Sequence, residues 1–355
     1  MVSISIIIPV FNVEQYVRRC IESVMAQNIT GASVECIVID DCSPDKSMDI
    51  VQALVSEYQG PIQFSILKHD VNRGLSVARN NGIMHAKGDF VFFIDSDDYI
   101  MPGSIHYFLD NLSQYPNIDM IMGNVKECRT GKLMIDDIDK PCLIDIPDVF
   151  FSRVLHHKLI IYAWNKLIKR QLLIDNHILF EEGILYEDQC WSYQLFSEIS
   201  SVLLLPRMTY VYEHNKNSII NTTFTSGNAD KVVWSYTVGI NKILNNPPSP
   251  KKFCTNLTPQ YLLFMLYFAM NGVDVLSRFP ISTDIAKEFR KTRKALWARS
   301  LRYGRLLISC LCLLMFDPFS VVQKLKVFRR HYNDIESVIN RLSHLTDFMH
   351  NKNRI

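Results

Sequence analysis

Strand-like and helix-like segments alternate four times before residue 95, and that alternation limits the fold more than any other feature. Residues 3–8, 34–39, 62–67 and 90–94 are short apolar runs with the composition of buried strands. Between them, residues 14–26, 48–58 and 75–86 carry apolar side chains at helical spacing, such as Val17, Cys20, Ile21, Val24 and Met25. Such an alternation with short links predicts a mostly parallel sheet, right-handed crossovers and helices on both faces. In these sheets ligands bind beyond the carboxyl ends of the strands. The polar clusters fall at those ends each time. Pro9, Phe11 and Asn12 follow the first strand, Asp40 and Asp41 the second, Asn72 and Arg73 the third, and Asp95, Ser96 and Asp97 the fourth. One shared acidic site is expected, with Arg73 and Arg79 as nearby cations. A nucleoside diphosphate bridged by a metal suits that mixture, and the Gly-rich phosphate loops of other nucleotide-binding folds are absent.

The fourth cluster is the sharpest. The apolar run 90–94 ends in three carboxylates, Asp95, Asp97 and Asp98, within four positions. A buried strand cannot hold bare carboxylates, so they belong where the sheet opens to water or a cation. Side chains alternate along an extended chain, which puts Asp95 and Asp97 on one side. Two convergent carboxylates suit a hard divalent cation, Mn2+ or Mg2+. An Asp-rich turn would leave the same pattern.

Composition limits the partners. The net charge over 355 residues is only +2, which argues against a dedicated nucleic-acid binder. Nine scattered cysteines contain no C-x-x-C pair and suggest reduced thiols in a cytoplasmic protein. The apolar run near the N-terminus is too short for a signal peptide and meets Pro9.

After Pro102 the rhythm changes. Residues 105–112 read as a helix and 118–122 as a strand; 127–145 are polar and irregular. Residues 150–170 look helical. A loop at 180–186 enters a helix running to about 199, and 202–205 and 209–212 read as two strands. The Asn-, Thr- and Ser-rich stretch 220–230 is the expected boundary between residues 1–220 and a helical C-terminal region, 221–355. In that region Arg290, Lys291, Arg293, Lys294, Arg299, Arg302 and Arg305 form a basic stretch with no acid between them. An apolar segment, 306–316, follows. It is too short to span a bilayer, which needs about 20 residues. Flanking cations suit contact with an anionic membrane surface, and a core helix with solvated basic neighbours fits equally.

Four segments in order resemble the family 2 glycosyltransferases: Ser5 to Asn12, Ile39 to Asp45, Asn72 to Asn80, and Asp95 to Asp98. The resemblance covers roughly residues 3–218. It implies a GT-A fold, with residues 1–101 as the nucleotide-sugar-binding half and 102–220 as the acceptor half. It also implies an inverting transfer of a hexosyl or N-acetylhexosaminyl group from a nucleoside-diphosphate sugar, with a UDP-sugar expected. The acceptor would be a hydroxyl of a growing glycan or lipid-linked glycan. A sugar nucleotidyltransferase and a non-catalytic binder are the alternatives. The first lacks its phosphate loop here, and the second would not need Glu187-Asp188.

The roles carry over motif by motif. The resemblance assigns Pro9, Phe11 and Glu14 to the base and ribose, and Asp41 to the pyrimidine N3–H. Asn72, Ser96 and Arg79 join the donor side, with Arg79 either an ion-pair partner or a phosphate contact. Asp95-Ser96-Asp97 matches the D-x-D signature, with Asp97 the direct metal ligand and Asp95 nearer the ribose. Glu187-Asp188 matches the motif whose Asp is the general base. Trp164 is expected to be a sugar-stacking platform or a core residue. His214, Lys216 and Ser218 lie where relatives close over the pyrophosphate, although relatives often have Arg near His214. Transferases of this type often work at the cytoplasmic face of the cell membrane, which favours a membrane-docking C-terminal region.

Overall fold

The computed structural model describes residues 1–135, 138–144, 161–215, 226–246, 275–276 and 278–302. The chain divides into two compact units. One is Met1–Thr223 with Asn245–Leu257, the other Phe224–Leu244 with Thr258–Ile355.

The first unit is built on a nine-stranded sheet. Its first half alternates as expected: β1 (Val2–Val10), α1 (Val17–Met25), β2 (Ala32–Asp40), α2 (Ser47–Glu57), β3 (Gln63–Lys68), α3 (Leu75–His85) and β4 (Phe90–Phe93). The strands β3, β2, β1 and β4 lie side by side in that order, all parallel. β1 is therefore central, and Ile4 to Val10 are buried without a break, as a strand covered on both faces must be. The chain leaves β1 toward β2 and β3, then returns to β4 on the other side. The carboxyl ends of β1 and β4 thus flank a topological switch point, where a crevice opens. Gly82 lets α3 lie close to β1, because a Cβ there would stand 2.3 Å from Ile7 Cγ2.

The second half departs from a parallel sheet. After β5 (Tyr99–Ile100), α4 (Ser104–Gln114), β6 (Met120–Glu127) and β7 (Cys142–Ile144) comes β8 (Lys166–Lys169). β8 sits between β4 and β6 and runs antiparallel to both. The helix expected over 150–170 is therefore not formed in its described part: 161–165 are irregular, 166–169 are strand, and only then does α5 (Arg170–Asp175) begin. Residues 150–160 lie outside the described ones. The loop and helix expected before 199 are present, the helix being α6 (Glu187–Glu198). The two strands expected at 202–205 and 209–212 are one, β9 (Val202–Tyr212). It pairs with β5, β6 and β7, with register shifts opposite Met122 to Val125 around Pro206.

In the second unit, α7 (Ala229–Asn245) and α8 (Thr283–Arg302) are described. Their ends are tied by Ser282 N–H donating to Asp230 Oδ1 at 2.8 Å. Of the basic stretch, Arg290, Lys291 and Lys294 are exposed, whereas Arg293 is buried against the Phe289 ring. Residues 306–316 lie outside the described ones. Among the described residues, no helix is long and apolar enough to cross a membrane.

Candidate active site

The loops after β1 and β2 are sewn together by main-chain donors meeting short polar side chains. Asn12 N–H donates to Ser43 Oγ at 2.8 Å, Val13 N–H to Ser47 Oγ at 3.0 Å, and Glu14 N–H to Asp45 Oδ2 at 2.8 Å. Asp45 also accepts from the hydroxyls of Ser43 and Ser47, and these bonds pull its pKa down against the opposing effect of its burial. Glu14 returns a bond, its Oε2 accepting from Lys46 N–H at 3.1 Å. Pro9 ends inside the sheet, while Phe11 stands 43% exposed at the rim.

Asp41 is buried and organises the loop after β3. Its Oδ1 accepts from Arg73 N–H at 2.8 Å and from His69 Nδ1 at 2.6 Å. Its Oδ2 accepts from Gly74 N–H at 2.8 Å. Gly74 has φ +89°, a conformation that a side chain would strain, and it aims that N–H as α3 begins. Asn81 Nδ2 donates to His69 Nε2, so Nδ1 carries the hydrogen that Asp41 accepts. A carboxylate has about four acceptor positions, and three are used here. Asn72 is exposed beside this loop.

The turn after β4 holds the acids in separate environments. Asp98 is almost fully buried. It accepts from Tyr210 Oη–H at 2.6 Å and from Glu213 N–H at 2.8 Å, pinning the turn to β9. Burial, then Asp97 and Asp95, push its pKa well up. Asp97 accepts from Asn215 Nδ2 at 3.0 Å; burial first and Asp95 second push its pKa to about 6. Ser96 is buried between them. Asp95 bonds to Arg79 Nη2 at 2.6 Å.

Arg79, on α3, is fully buried and faces three carboxylates. Beyond Asp95, its Nη1 reaches Glu187 Oε1 at 2.7 Å and Asp188 Oδ1 at 2.9 Å. These two acids open α6, just after Tyr186 turns the chain with φ +59°. The neighbouring Asn80 exchanges two bonds with the Phe180 backbone, at 2.8 and 2.9 Å, and so fixes the approach to α6. Burial pushes the Asp188 pKa to about 7 despite the nearby guanidinium, and raises that of Glu187 as well. Lys166, at the start of β8, is also fully buried; its Nζ donates to the carbonyls of Tyr162 and Trp164, and burial lowers its pKa to about 7. Its charge is felt at Asp188.

Trp164 is not a platform. It is 2% exposed, with Tyr210 stacked at 4.7 Å and Tyr162 at 5.0 Å. With both neighbours parallel to it, its ring has no face left for a sugar. His214 is exposed, and Lys216 and Ser218 lie outside the described residues.

A divalent cation would need hard oxygen donors in uncompensated charge. Asp97 provides both, its charge opposed by Asp95, while Asp95, paired with Arg79 through Oδ1, provides a further oxygen at its Oδ2. Among the described residues no group of three or more His, Cys, Asp or Glu side chains could hold a metal ion by itself. The pair fits a cation whose remaining positions are filled by phosphate oxygens and water.

A mixed sheet with a carboxylate-lined switch point is the GT-A arrangement, and the comparisons agree. Residues 5–172 match the model described as glycosyl transferase family 2. The "uncharacterized glycosyltransferase EpsJ" of Bacillus subtilis is 29% identical over 223 residues, 61% of this chain and 62% of that one. The poly(ribitol-phosphate) beta-N-acetylglucosaminyltransferase TarS of Staphylococcus aureus is 27% identical over 60% of this chain and 35% of its own. A crystal structure of S. aureus TarS 1–349 in complex with UDP-GlcNAc superposes with a TM-score of 0.61, covering 91% of this chain and 92% of that one at 19% identity. The mannosyltransferase PcManGT of Pyrobaculum calidifontis, in complex with GDP-Man and Mn2+, gives 0.52 at 14% identity, covering 92% of this chain and 84% of that one. The family match covers just under half of the 355 residues, and together with these relatives and the shared fold it supports a family 2 glycosyltransferase. The alignments span less than two-thirds of the length of EpsJ and about a third of TarS.

Proposed function

We propose that the chain is an inverting glycosyltransferase that moves a sugar from a nucleoside-diphosphate sugar, a UDP-sugar, to a hydroxyl of a growing surface glycan. The observation that carries this reading is the convergence of the acids after β4 with the acid opening α6. Asp95 and Asp188, 93 positions apart in the chain, bond to the same guanidinium. The bound UDP-GlcNAc and GDP-Man of the two structural neighbours support the donor class. Phe11 and Glu14 would line the base and ribose, with the last acceptor position of Asp41 open to the pyrimidine N3–H. Asp97 and Asp95 would hold Mn2+ or Mg2+, which neutralises charge on the departing diphosphate.

Inversion takes one displacement. The acceptor oxygen bonds to the anomeric carbon as the bond to the diphosphate breaks, and the hydroxyl proton passes to an Asp188 oxygen. Asp188 stands at the positive end of α6, which favours its ionised form, while burial makes it a stronger base than an ordinary carboxylate. It must be ionised to act. With a pKa raised to about 7, kcat/KM at saturating metal is expected to climb as pH passes through 7. It should be about a hundredfold lower two units below. An acid limb near pH 4 would contradict the burial argument.

Release of nucleoside diphosphate from a panel of donors, with and without chelator, tests the function. One donor is expected to turn over only with divalent metal. The C-terminal region is proposed to dock on an anionic, cytoplasmic membrane face. Flotation with anionic liposomes should weaken with salt and on changing Arg299, Arg302 and Arg305 to Gln.

A further inference from the structure

We infer that Arg79 is a positioning residue that sets the base against the donor acids, and does not itself bind the donor phosphates; this rests on the reading of Asp188 as the base. Both terminal nitrogens of its guanidinium already bond to carboxylates. Nη2 holds Asp95 and Nη1 holds Glu187 and Asp188, all within 2.9 Å. The side chain is fully buried, and its planar end lies near the Phe180 ring, 5.1 Å from its centroid. Its own element is held too, since Asn80 locks α3 to the loop before α6. A planar fork with fixed donor directions defines the separation and orientation of the acids it bridges, which a single ammonium cannot do.

The consequence is mechanical. Asp188 opens a helix that follows a loop, and Asp95 follows a strand. Without the bridge, three carboxylates repel one another, and the base has no fixed place relative to the anomeric carbon. A small misplacement of a reacting group costs about a hundredfold in rate. Donor binding draws on Asp41, the rim of β1 and Asp97, which are held by other partners than Arg79, so it should survive. Arg79 Nε has no partner among the described residues, but it is buried, which leaves it closed to a donor phosphate.

The test is a double-mutant cycle with Arg79→Lys and Asp188→Asn in the full chain, reading transfer rate and calorimetric donor affinity. Arg79→Lys alone should lower kcat about a hundredfold with donor affinity within about threefold of wild type. In the Asp188→Asn background it should cost less than about threefold more, because the positioned group can no longer act. Arg79→Ala should regain part of its rate with added guanidinium. Multiplying losses, or donor affinity falling as far as the rate, would overturn the assignment. An Asp188→Asn variant with wild-type turnover would overturn the base itself. Multiplying losses with an Asp188→Asn that is itself slowed about a hundredfold would leave the base in place and remove only Arg79.

Discussion

Asp97→Ala is expected to abolish metal-dependent turnover while leaving the chain folded. The two halves of that expectation have one cause. Burial and the adjacent Asp95 hold the Asp97 pKa at about 6, so its charge is costly to the folded state unless a cation meets it. The sign follows directly. A carboxylate with a folded pKa above its unfolded value contributes stability at low pH that is lost as pH rises through about 6. Removing it at neutral pH therefore takes away an unfavourable charge, and the thermal midpoint should stay near that of wild type. The hydrogen bond from Asn215 is lost in exchange. Turnover should vanish, since one carboxylate of the pair proposed to hold the metal is gone. Full activity in this variant, or in excess chelator, would exclude the metal role.

The second large effect is expected at Asp188. Asp188→Asn keeps the shape and can still accept a hydrogen bond, but it cannot take the acceptor's proton. Turnover should fall by about a hundredfold or more, with calorimetric donor binding nearly intact. Loss of donor binding with an unchanged rate at saturation would assign Asp188 to the donor instead.

The first half of this fold could be read because its rules are local. Each apolar run of the right length became a strand, and the clusters at their carboxyl ends became one rim. β8 escaped for a physical reason. Its pattern, Lys166-Leu167-Ile168-Lys169, is four residues long, and a fully buried lysine at its start resembles no strand rule. Pro206 lacks a ladder donor and so divides the 202–212 pattern into two apparent strands, whereas the sheet absorbs it in a register shift beside β6. At the site, residue types were legible and partners were not. Nothing local says that Asp98 would turn inward to Tyr210, that His69 would hold Asp41, or that Lys166 would brace the Tyr162 and Trp164 carbonyls. Those contacts join residues distant in sequence, or depend on burial. Trp164 stays open in sequence for the same cause: a large aromatic serves equally as platform or core, and only its burial among Tyr162 and Tyr210 favours the core. Asp45 had a visible signal in its Ser-Pro-Asp setting, which favours capping.

The anomeric configuration of the product tests single displacement at this site most directly. With the donor that turns over, product NMR should show the configuration opposite to that of the donor, formed by wild type and, about a hundredfold more slowly, by Asp188→Asn. A product with the donor's own configuration would require a covalent or front-face route, and would contradict a lone base at Asp188.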